Sequence, residues 1–349
     1  MRALTVVPLQ QDSLSVRDVP DPTPGAGDML VDGIAIGVCG TDKEIAHGDY
    51  GWAPPGSDYL VLGHESLGRV RSAPTGSPFA AGDLVVGVVR RPDPEPCGAC
   101  AHGQFDMCRN GKYTEHGIKQ IHGYGSQQWT VETDYAVKLD PRLADVGMLM
   151  EPTTVVAKAW GEVYGVGNRA WFEPRTVLVT GAGPIGLLAA MVGVQKGLDV
   201  HVVDVVTNGP KPGIVTDLGA TYHSDPVDQV VKTVAPEVVI EATGVTQVIF
   251  AALEGTTPYG IVCLTGVSSV GRRVTIDGGS LNRTMVLDNN VIVGSVNANL
   301  GHYAAAAGYL AAADEDWLRR LVTRRVPLEK FADAFAAQPD DVKVAITLQ

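Results

Sequence analysis

One stretch limits what this chain can fold into more than any other. "TVLVTGAGPIGLLAAM", Thr176 to Met191, is a β-branched run, then a glycine loop, then an apolar helix former. Gly181, Gly183 and Gly186 stand as G-x-G-x-x-G, with Pro184 and Ile185 before the last glycine. After a strand and before a helix, this is the form of a dinucleotide-binding turn. Gly181 permits the tight turn, Gly183 lets the backbone approach a pyrophosphate, and Gly186 lets helix and strand pack closely. The helix N-terminus then offers free N–H groups to the anion. The plainer reading is a glycine turn that serves packing alone. Carried to Val194, the stretch has no charge and is nearly long enough to span a bilayer. Its glycines and Pro184 interrupt it as a strand–turn–helix would, so no membrane partner is expected.

The same rhythm continues downstream. "VHVVD" (200–204), "VVIEAT" (238–243), "IVCLTGV" (261–267) and "VIVGSVN" (291–297) are compact β-branched runs, most followed by helix-compatible segments. The alternation predicts a parallel sheet covered on both faces, a Rossmann-type doubly wound unit over 156–297. Asp204 closes the second run, where a carboxylate accepts hydrogen bonds from adenosine ribose hydroxyls and repels a 2′-phosphate. Val205 and Val206 follow, with no arginine, and Lys211 is too loosely placed to count. NAD is therefore expected over NADP. The alternative is that Asp204 only ends its strand.

Up to about residue 155 the pattern is different. "MLVDGIAIGV", "LGRVRSA" and "DLVVGVV" are short apolar runs cut by Pro and Gly, the mark of a β-rich unit. The tail, "WLRRLVTRRVPLEKFADAFAAQ", reads as a helix, a break at Pro327 and another helix. Its basic cluster, Arg319, Arg320, Arg324 and Arg325, has helical spacing and reads as a solvated face. A net charge of −12 repels phosphate backbones, so nucleic acid is not an expected partner. Five cysteines, an odd number with three clustered, fit a reducing cytoplasm better than a disulfide framework. "MRALTVVPLQ" is too short an apolar run for a signal peptide.

Three segments hold metal-binding side chains. "VCGTDKE" offers Cys39, Thr41 and Asp42, "LGHESLG" offers His64 and Glu65, and "MEPTT" offers Glu151. One thiolate, one imidazole and carboxylates make a zinc site with room for a substrate oxygen. A lone histidine is more often structural, and spacing alone does not show that these residues meet. A fourth segment, "PDPEPCGACAHGQFDMC" (92–108), carries Cys97, Cys100 and Cys108. Three thiols are one short of a closed zinc site. A structural zinc completed by Asp93 or Glu95, an unmetallated loop, and a Cys97–Cys100 redox pair all remain open.

"CGTD" at 39–42, "GHE" at 63–65, the three-cysteine lobe, "EP" at 151–152 and "GAGPIG" at 181–186 together resemble the zinc-dependent medium-chain dehydrogenase/reductase family over nearly the whole chain. "CGTDKEIAHGDYG", "LVLGHESLGRV", "VVRRP" and "VNANLGHY" are most similar to its glucose 1-dehydrogenase (aldose dehydrogenase) branch. The resemblance implies an α/β chain with a GroES-like β-rich catalytic domain, 1–155 and 298–349, interrupted by the Rossmann domain, 156–297. It also implies an active site in the cleft between them and a homodimer or homotetramer. Cys39, His64, Glu65 and Glu151 would hold the catalytic zinc, Glu65 and Glu151 directly or from nearby. Asp42 would orient the ligand imidazole, and Thr41 would hand on the substrate proton. Many relatives place a histidine five positions after the cysteine. Here Glu44 stands there and His47 three further on, so which group finally receives the proton stays open. Glu115 and Asn297 would contact a polyhydroxylated substrate, while His116, His122 and His302 are unranked. The family's four-cysteine lobe would put its first ligand at Pro94, which cannot ligate.

The expected reaction is oxidation of an aldose such as D-glucose at C1 to the lactone, with one catalytic zinc and, if the lobe loads, a second structural one. A polyol or secondary-alcohol dehydrogenase would share the same metal and cofactor residues. A zinc-free reductase or a non-enzymatic dinucleotide-binding protein would have no need of Cys39 and His64.

Overall fold

The computed structural model describes residues 1–268, 271 and 273–349. The chain divides into two compact units, Met1–Glu151 with Ala298–Gln349, and Pro152–Asn297.

The first unit is built on a sheet whose spine is the long strand Asp28–Val38. Glu65–Ser72 pairs antiparallel with one edge of that strand, and the C-terminal strand Lys343–Thr347 with the other. Gln128–Glu132 also pairs with its first half. Residues along the spine alternate between half-buried and buried up to Ala35, as expected of a sheet with one face on the core, and from there to Val38 all are buried. That core gathers Leu4, Met29, Val31, Ile36, Leu62, Trp129 and Ile346. Segments at both ends of the sequence thus close a single sheet.

The tail departs from the helical reading. Glu315–Leu321 is helical, but Val322–Pro327 is a strand lying parallel to Lys343–Thr347. Arg319 and Arg320 belong to the helix, whereas Arg324 and Arg325 lie on the strand, so the four do not form one face. Arg324 is paired with Asp341, Nε to Oδ1 at 2.7 Å and Nη2 to Oδ2 at 2.7 Å. The β-branched residues Val322, Thr323 and Val326 suit the strand, and pairing with a distant segment outweighs the local helical spacing.

The second unit holds a six-stranded, wholly parallel sheet. Its order is Thr221–His223, Asp199–Val203, Thr176–Thr180, Val238–Glu241, Ile261–Leu264, Val291–Gly294. This is the doubly wound arrangement that the alternation predicted. Val238–Glu241 is buried along its length, which explains why such strands read as unbroken apolar runs. Thr221–His223 has only three residues and carries no such run. The chain starts at the strand Thr176–Thr180 and winds outward in one direction. It then returns to the other side through Val238–Glu241, so the strand order reverses between those two. The uncharged stretch 176–194 is the first strand followed by the helix Pro184–Gln195. No helix among the described residues is long and apolar enough to cross a membrane.

Candidate metal centre and cofactor loop

The spine strand ends at Val38 and the helix Gly40–His47 begins after Cys39. Asp42, three residues on, reaches back so that its Oδ2 accepts the Cys39 N–H at 2.9 Å. This satisfies one of the orphan donors of a helix start and fixes the backbone of Cys39 at the N-cap. The pairing of Gly37 with Glu65 brings His64, just before that strand, beside Cys39. Cys39 Sγ and His64 Nε2 are 3.1 Å apart. On the far side of the ring, Nδ1 lies 3.3 Å from Asp42 Oδ1. "CGTD" and "GHE" therefore meet because two antiparallel strands put their ends together.

Glu65 and Lys343 complete this corner. Lys343 opens the strand on the other side of the spine, and its Nζ is 2.6 Å from both Oε1 and Oε2 of Glu65. Both side chains are 2% exposed. Gly37 lies beneath the carboxylate: a Cβ there would sit 1.9 Å from Glu65 Oε2. Glycine is thus needed for the Glu65 side chain to fold across the spine.

Burial alone would depress the His64 imidazole, but the Asp42 carboxylate and the Cys39 sulfur outweigh it and hold His64 well above its ordinary value. Burial pushes the Cys39 thiol up, with His64 opposing. Burial would also raise Asp42, yet His64 and the Cys39 N–H keep its carboxyl below the usual range. The Cys39 sulfur and the His64 nitrogen thus face each other at the place a cation would occupy. Tetrahedral zinc keeps a thiolate sulfur and an imidazole nitrogen about 3.5 Å apart, so a small widening admits it. Cys39, His64 and Glu65 bring ligand atoms within 4.8 Å of one another. Glu151 lies outside that group, in the first turn of the helix Met150–Gly167. It still belongs to the same electrostatic cluster. Burial pushes it up to about 7, His64 and Lys343 pull it down, and Glu65 and Asp42 push it up further.

The other expected positions fall as follows. Thr41 is half-buried in the first turn after Cys39, while Glu44 and His47 lie on the exposed side of that helix. His47 Nδ1 is 2.7 Å from the Lys43 carbonyl oxygen. Glu115 is on a strand and buried, with Oε1 accepting from Arg90 Nε at 3.1 Å and Nη2 at 2.9 Å. Asn297 lies three residues beyond Val291–Gly294, with φ +62. Asparagine tolerates this left-handed backbone better than most residues.

The three unranked histidines have local partners. His116 Nδ1 is 2.6 Å from the His122 carbonyl oxygen, and the ring stacks on Tyr124. His122 Nδ1 accepts the Val61 N–H at 3.1 Å. His302 Nδ1 accepts the Asn299 N–H at 3.1 Å and so caps the helix Leu300–Ala312. A cavity of about 540 Å³ runs past His116, His122 and the strand Gln128–Glu132. It shares no lining residue with the metal group.

In the three-cysteine lobe, Cys97, Cys100 and Cys108 bring their sulfurs within 4.8 Å of one another. Hydrogen bonds from the Arg109 N–H and then the Cys100 N–H pull Cys97 down to about 6. Asp93 is 2% exposed. Its Oδ1 accepts the Glu95 N–H at 2.8 Å, and its Oδ2 has no partner among the described residues. Glu95 instead pairs at the surface with Lys112 at 2.7 Å.

In the second unit, Gly181 has φ +89 and turns the chain into the helix. A Cβ on Gly186 would stand 1.8 Å from the Gly181 carbonyl oxygen, so the close packing is real. A Cβ on Gly183, the N-cap residue, would meet nothing within 4 Å. That open space next to free helix N–H groups fits a pyrophosphate. Asp204 Oδ2 accepts the Ala182 N–H at 2.7 Å, joining the end of the second strand to the loop of the first.

Sequence reading passed over three residues here. Lys343 and Arg90 each hold one of the groups above. Glu241, fully buried at the reversal of strand order, accepts Thr180 Oγ1 at 3.1 Å and the N–H groups of Thr243 at 2.8 Å and Gly244 at 3.2 Å. It ties together the two strand ends that flank the place where dinucleotides bind in such sheets. The charged residue inside the apolar "VVIEAT" was the available signal.

Two family profiles match this chain: "Alcohol dehydrogenase GroES-like domain" over residues 25–141 and "Glucose dehydrogenase C-terminus" over 144–348. A glucose 1-dehydrogenase of Thermoproteus tenax is 40% identical over 360 aligned positions, covering 100% of both chains. One from Methanocella arvoryzae is 38% identical over 357 positions, covering 100% of this chain and 99% of the relative. Among solved structures, the Haloferax mediterranei glucose dehydrogenase in complex with NADP, Zn and gluconolactone superposes with a TM-score of 0.91. It is 33% identical, over 100% of this chain and 99% of that one.

Proposed function

The chain belongs to the glucose dehydrogenases of the zinc-dependent medium-chain dehydrogenase/reductase family, and on that premise we propose that it oxidises an aldose such as D-glucose at C1 to the lactone. The hydride goes to a nicotinamide cofactor and the hydroxyl proton to solvent. The observation that carries this reading is the Cys39–His64 contact with Asp42 behind the imidazole, on a chain similar over its full length to glucose 1-dehydrogenases.

Cys39 and His64 would hold the catalytic zinc, with Glu65 and Glu151 as neighbouring carboxylates. When bound, zinc supplies a Lewis acid that lowers the pKa of a substrate hydroxyl, and nicotinamide supplies the hydride acceptor. The rest falls to the chain. Asp42 fixes the orientation of His64 through Nδ1 and leaves Nε2 to face Cys39. Lys343 balances the charge of Glu65, so the corner does not accumulate unpaired carboxylates. Glu151 belongs to the same charge cluster, raised by burial and lowered by His64. Thr41 passes the substrate proton outward, toward Glu44 or His47. Arg90 holds Glu115 in one rotamer, so that it accepts from sugar hydroxyls in a fixed direction, and Asn297 contributes beside the cofactor.

The cofactor is held by Gly181, Gly183, Pro184, Ile185 and Gly186 and by Asp204, whose carboxylate favours NAD over NADP. Cys97, Cys100 and Cys108 would hold a second, structural zinc, with Asp93 as the fourth ligand. Asp93 keeps a buried carboxylate oxygen without a donor among the described residues, whereas Glu95 pairs at the surface with Lys112, which supports that choice over Glu95. The edge strand Val291–Gly294 exposes Ile292, and the helix Gly278–Asp288 exposes Val286 and Leu287. An open apolar edge of this kind supports a homodimer or homotetramer. Five free thiols support a reducing, cytoplasmic location.

The test is reduction of NAD and NADP by zinc-replete protein with D-glucose, with and without a strong chelator. Chelator-sensitive reduction is expected. Reduction with polyols or secondary alcohols but not aldoses would move the substrate to the alternative class. Full turnover by Cys39→Ala and His64→Ala would end the zinc mechanism.

A further inference from the structure

His201 interrupts the apolar strand Asp199–Val203, and His223 ends the edge strand Thr221–His223. The two strands run parallel, with His201 opposite Thr221 and Val203 opposite His223. Alternate residues of a strand share a face, so the two imidazoles stand on one face as diagonal neighbours. Diagonal neighbours on a sheet are within reach of long and aromatic side chains. Here the rings meet. His201 Nδ1 is 2.8 Å from His223 Nε2, with ring centroids 5.1 Å apart and planes inclined by 27°. On the far side of the first ring, Nε2 lies 3.3 Å from Asp199 Oδ2. Neither imidazole has a part in the reaction proposed above.

Asp199 favours the tautomer of His201 with hydrogen on Nε2, which leaves a lone pair on Nδ1. The hydrogen between the rings then belongs to His223 Nε2. Histidine metal sites share this arrangement, with a carboxylate behind one ring nitrogen and a cation before the other. Two imidazole nitrogens about 2.1 Å from one cation stand about 3.0 Å apart at a right angle and about 3.4 Å apart at the tetrahedral angle. A separation of 2.8 Å therefore needs only a small widening. The nitrogens point at each other, so one ring must tilt for both lone pairs to meet a cation. His223 is placed to do so, because its strand is paired on one side only. Its Nε2 hydrogen moves to Nδ1, the ring stays neutral, and the cation takes the vacated position. Both residues are half-buried, so an ion reaches them from solvent. Among the described residues no third thiol, imidazole or carboxylate closes on the pair, so water completes the shell.

We propose that His201 and His223 form a further metal site, for a divalent transition ion that favours imidazole: zinc, nickel or copper. It shares no residue with the Cys39 group or the three-cysteine lobe. The ion clips the three-residue edge strand to its neighbour, and it stabilises the folded chain because the unfolded chain does not hold the two rings together.

The probe is nickel chloride, titrated by calorimetry into zinc-replete protein so that sites with sulfur ligands are already filled. The wild type is expected to show a nickel-binding event that His201→Gln and His223→Gln each weaken about tenfold or more. Partners behind a metal ligand are worth about ten- to a hundredfold in affinity, and a ligand itself at least as much. Nickel held elsewhere appears in all three proteins and cancels. A second measurement uses the unchanged protein: hydrogen exchange of the Thr221–His223 amides should slow when nickel is added. Binding that all three proteins share is adventitious and overturns the inference, as does exchange of that strand unmoved by nickel. The reading of the Cys39 centre stands in either case.

Discussion

Replacing Lys343 by Met tests how the metal corner is built. The ammonium lies 2.6 Å from each Glu65 oxygen, and neither side chain is more than 2% exposed. Met fills nearly the same space as Lys, so loss of packing is a small part of the effect. What remains is a carboxylate buried without its partner charge. Breaking a buried pair by removing one member costs about 3–5 kcal/mol. For a unit of this size, about 2–4 °C of Tm accompanies each kcal/mol, which gives a fall of about 6–20 °C. The assay is thermal unfolding followed by circular dichroism at neutral pH. Chelator-treated protein is used, so that a metal cannot stand in for the lost ammonium. Adding Glu65→Gln to Lys343→Met removes the second charge and is expected to recover most of the loss, because a buried pair exchanged for neutral groups is often near neutral in energy. If Lys343→Met melts within 2 °C of the wild type, or the double variant melts no higher than the single one, charge pairing is not what holds this corner.

Asp42→Asn leaves the helix cap position filled but weakens the carboxylate behind His64. Zinc affinity is expected to fall about ten- to a hundredfold in chelator competition, and unchanged affinity would remove Asp42 from its orienting role. Asp93→Ala is expected to lower zinc from two per chain to one by elemental analysis; a wild-type protein that already carries one would rule out a metal in the lobe. His116 gives a pH prediction. Burial, then Arg91, hold its imidazole at about 3 against 6.5 for the free side chain. The unfolded chain therefore takes up a proton below about pH 6.5 that the folded chain refuses, and stability falls as pH falls through that window. The slope is about 1.4 kcal/mol per pH unit, or about 2 kcal/mol between pH 7 and pH 5. Urea unfolding of the wild type should lose more stability over this window than His116→Gln, because His122 and His223 are held down as well; equal pH dependence in the two would refute it.

The parts of the fold that were legible are those whose cause is local. A β-branched run, a glycine turn and an apolar helix specify one another within a few residues, so the unit around Gly181 could be read directly. The strands at 176–180, 238–241 and 261–264 showed for the same reason, being largely buried on both faces. Val322–Pro327 did not show, because its strand conformation depends on Lys343–Thr347. The arginine spacing there, read alone, favoured the wrong element. Lys211 is a similar case in the cofactor loop. Seven positions from Asp204, it had no fixed place until the helix start set its direction.

The sequence by itself determined the kinds of side chain present and the rhythm of the parallel sheet. The thiol, imidazole and carboxylates of "CGTD", "GHE" and "MEP" state what chemistry is available, because ligand preference belongs to the residue type. Which of them meet was decided by tertiary structure. Cys39 and His64 are 25 residues apart in sequence and 3.1 Å apart in space, and Glu65 finds Lys343 across 278 residues. Those contacts follow from the register of two strands on either side of Asp28–Val38. Register is fixed by the burial of a whole sheet face, and no single segment carries that information.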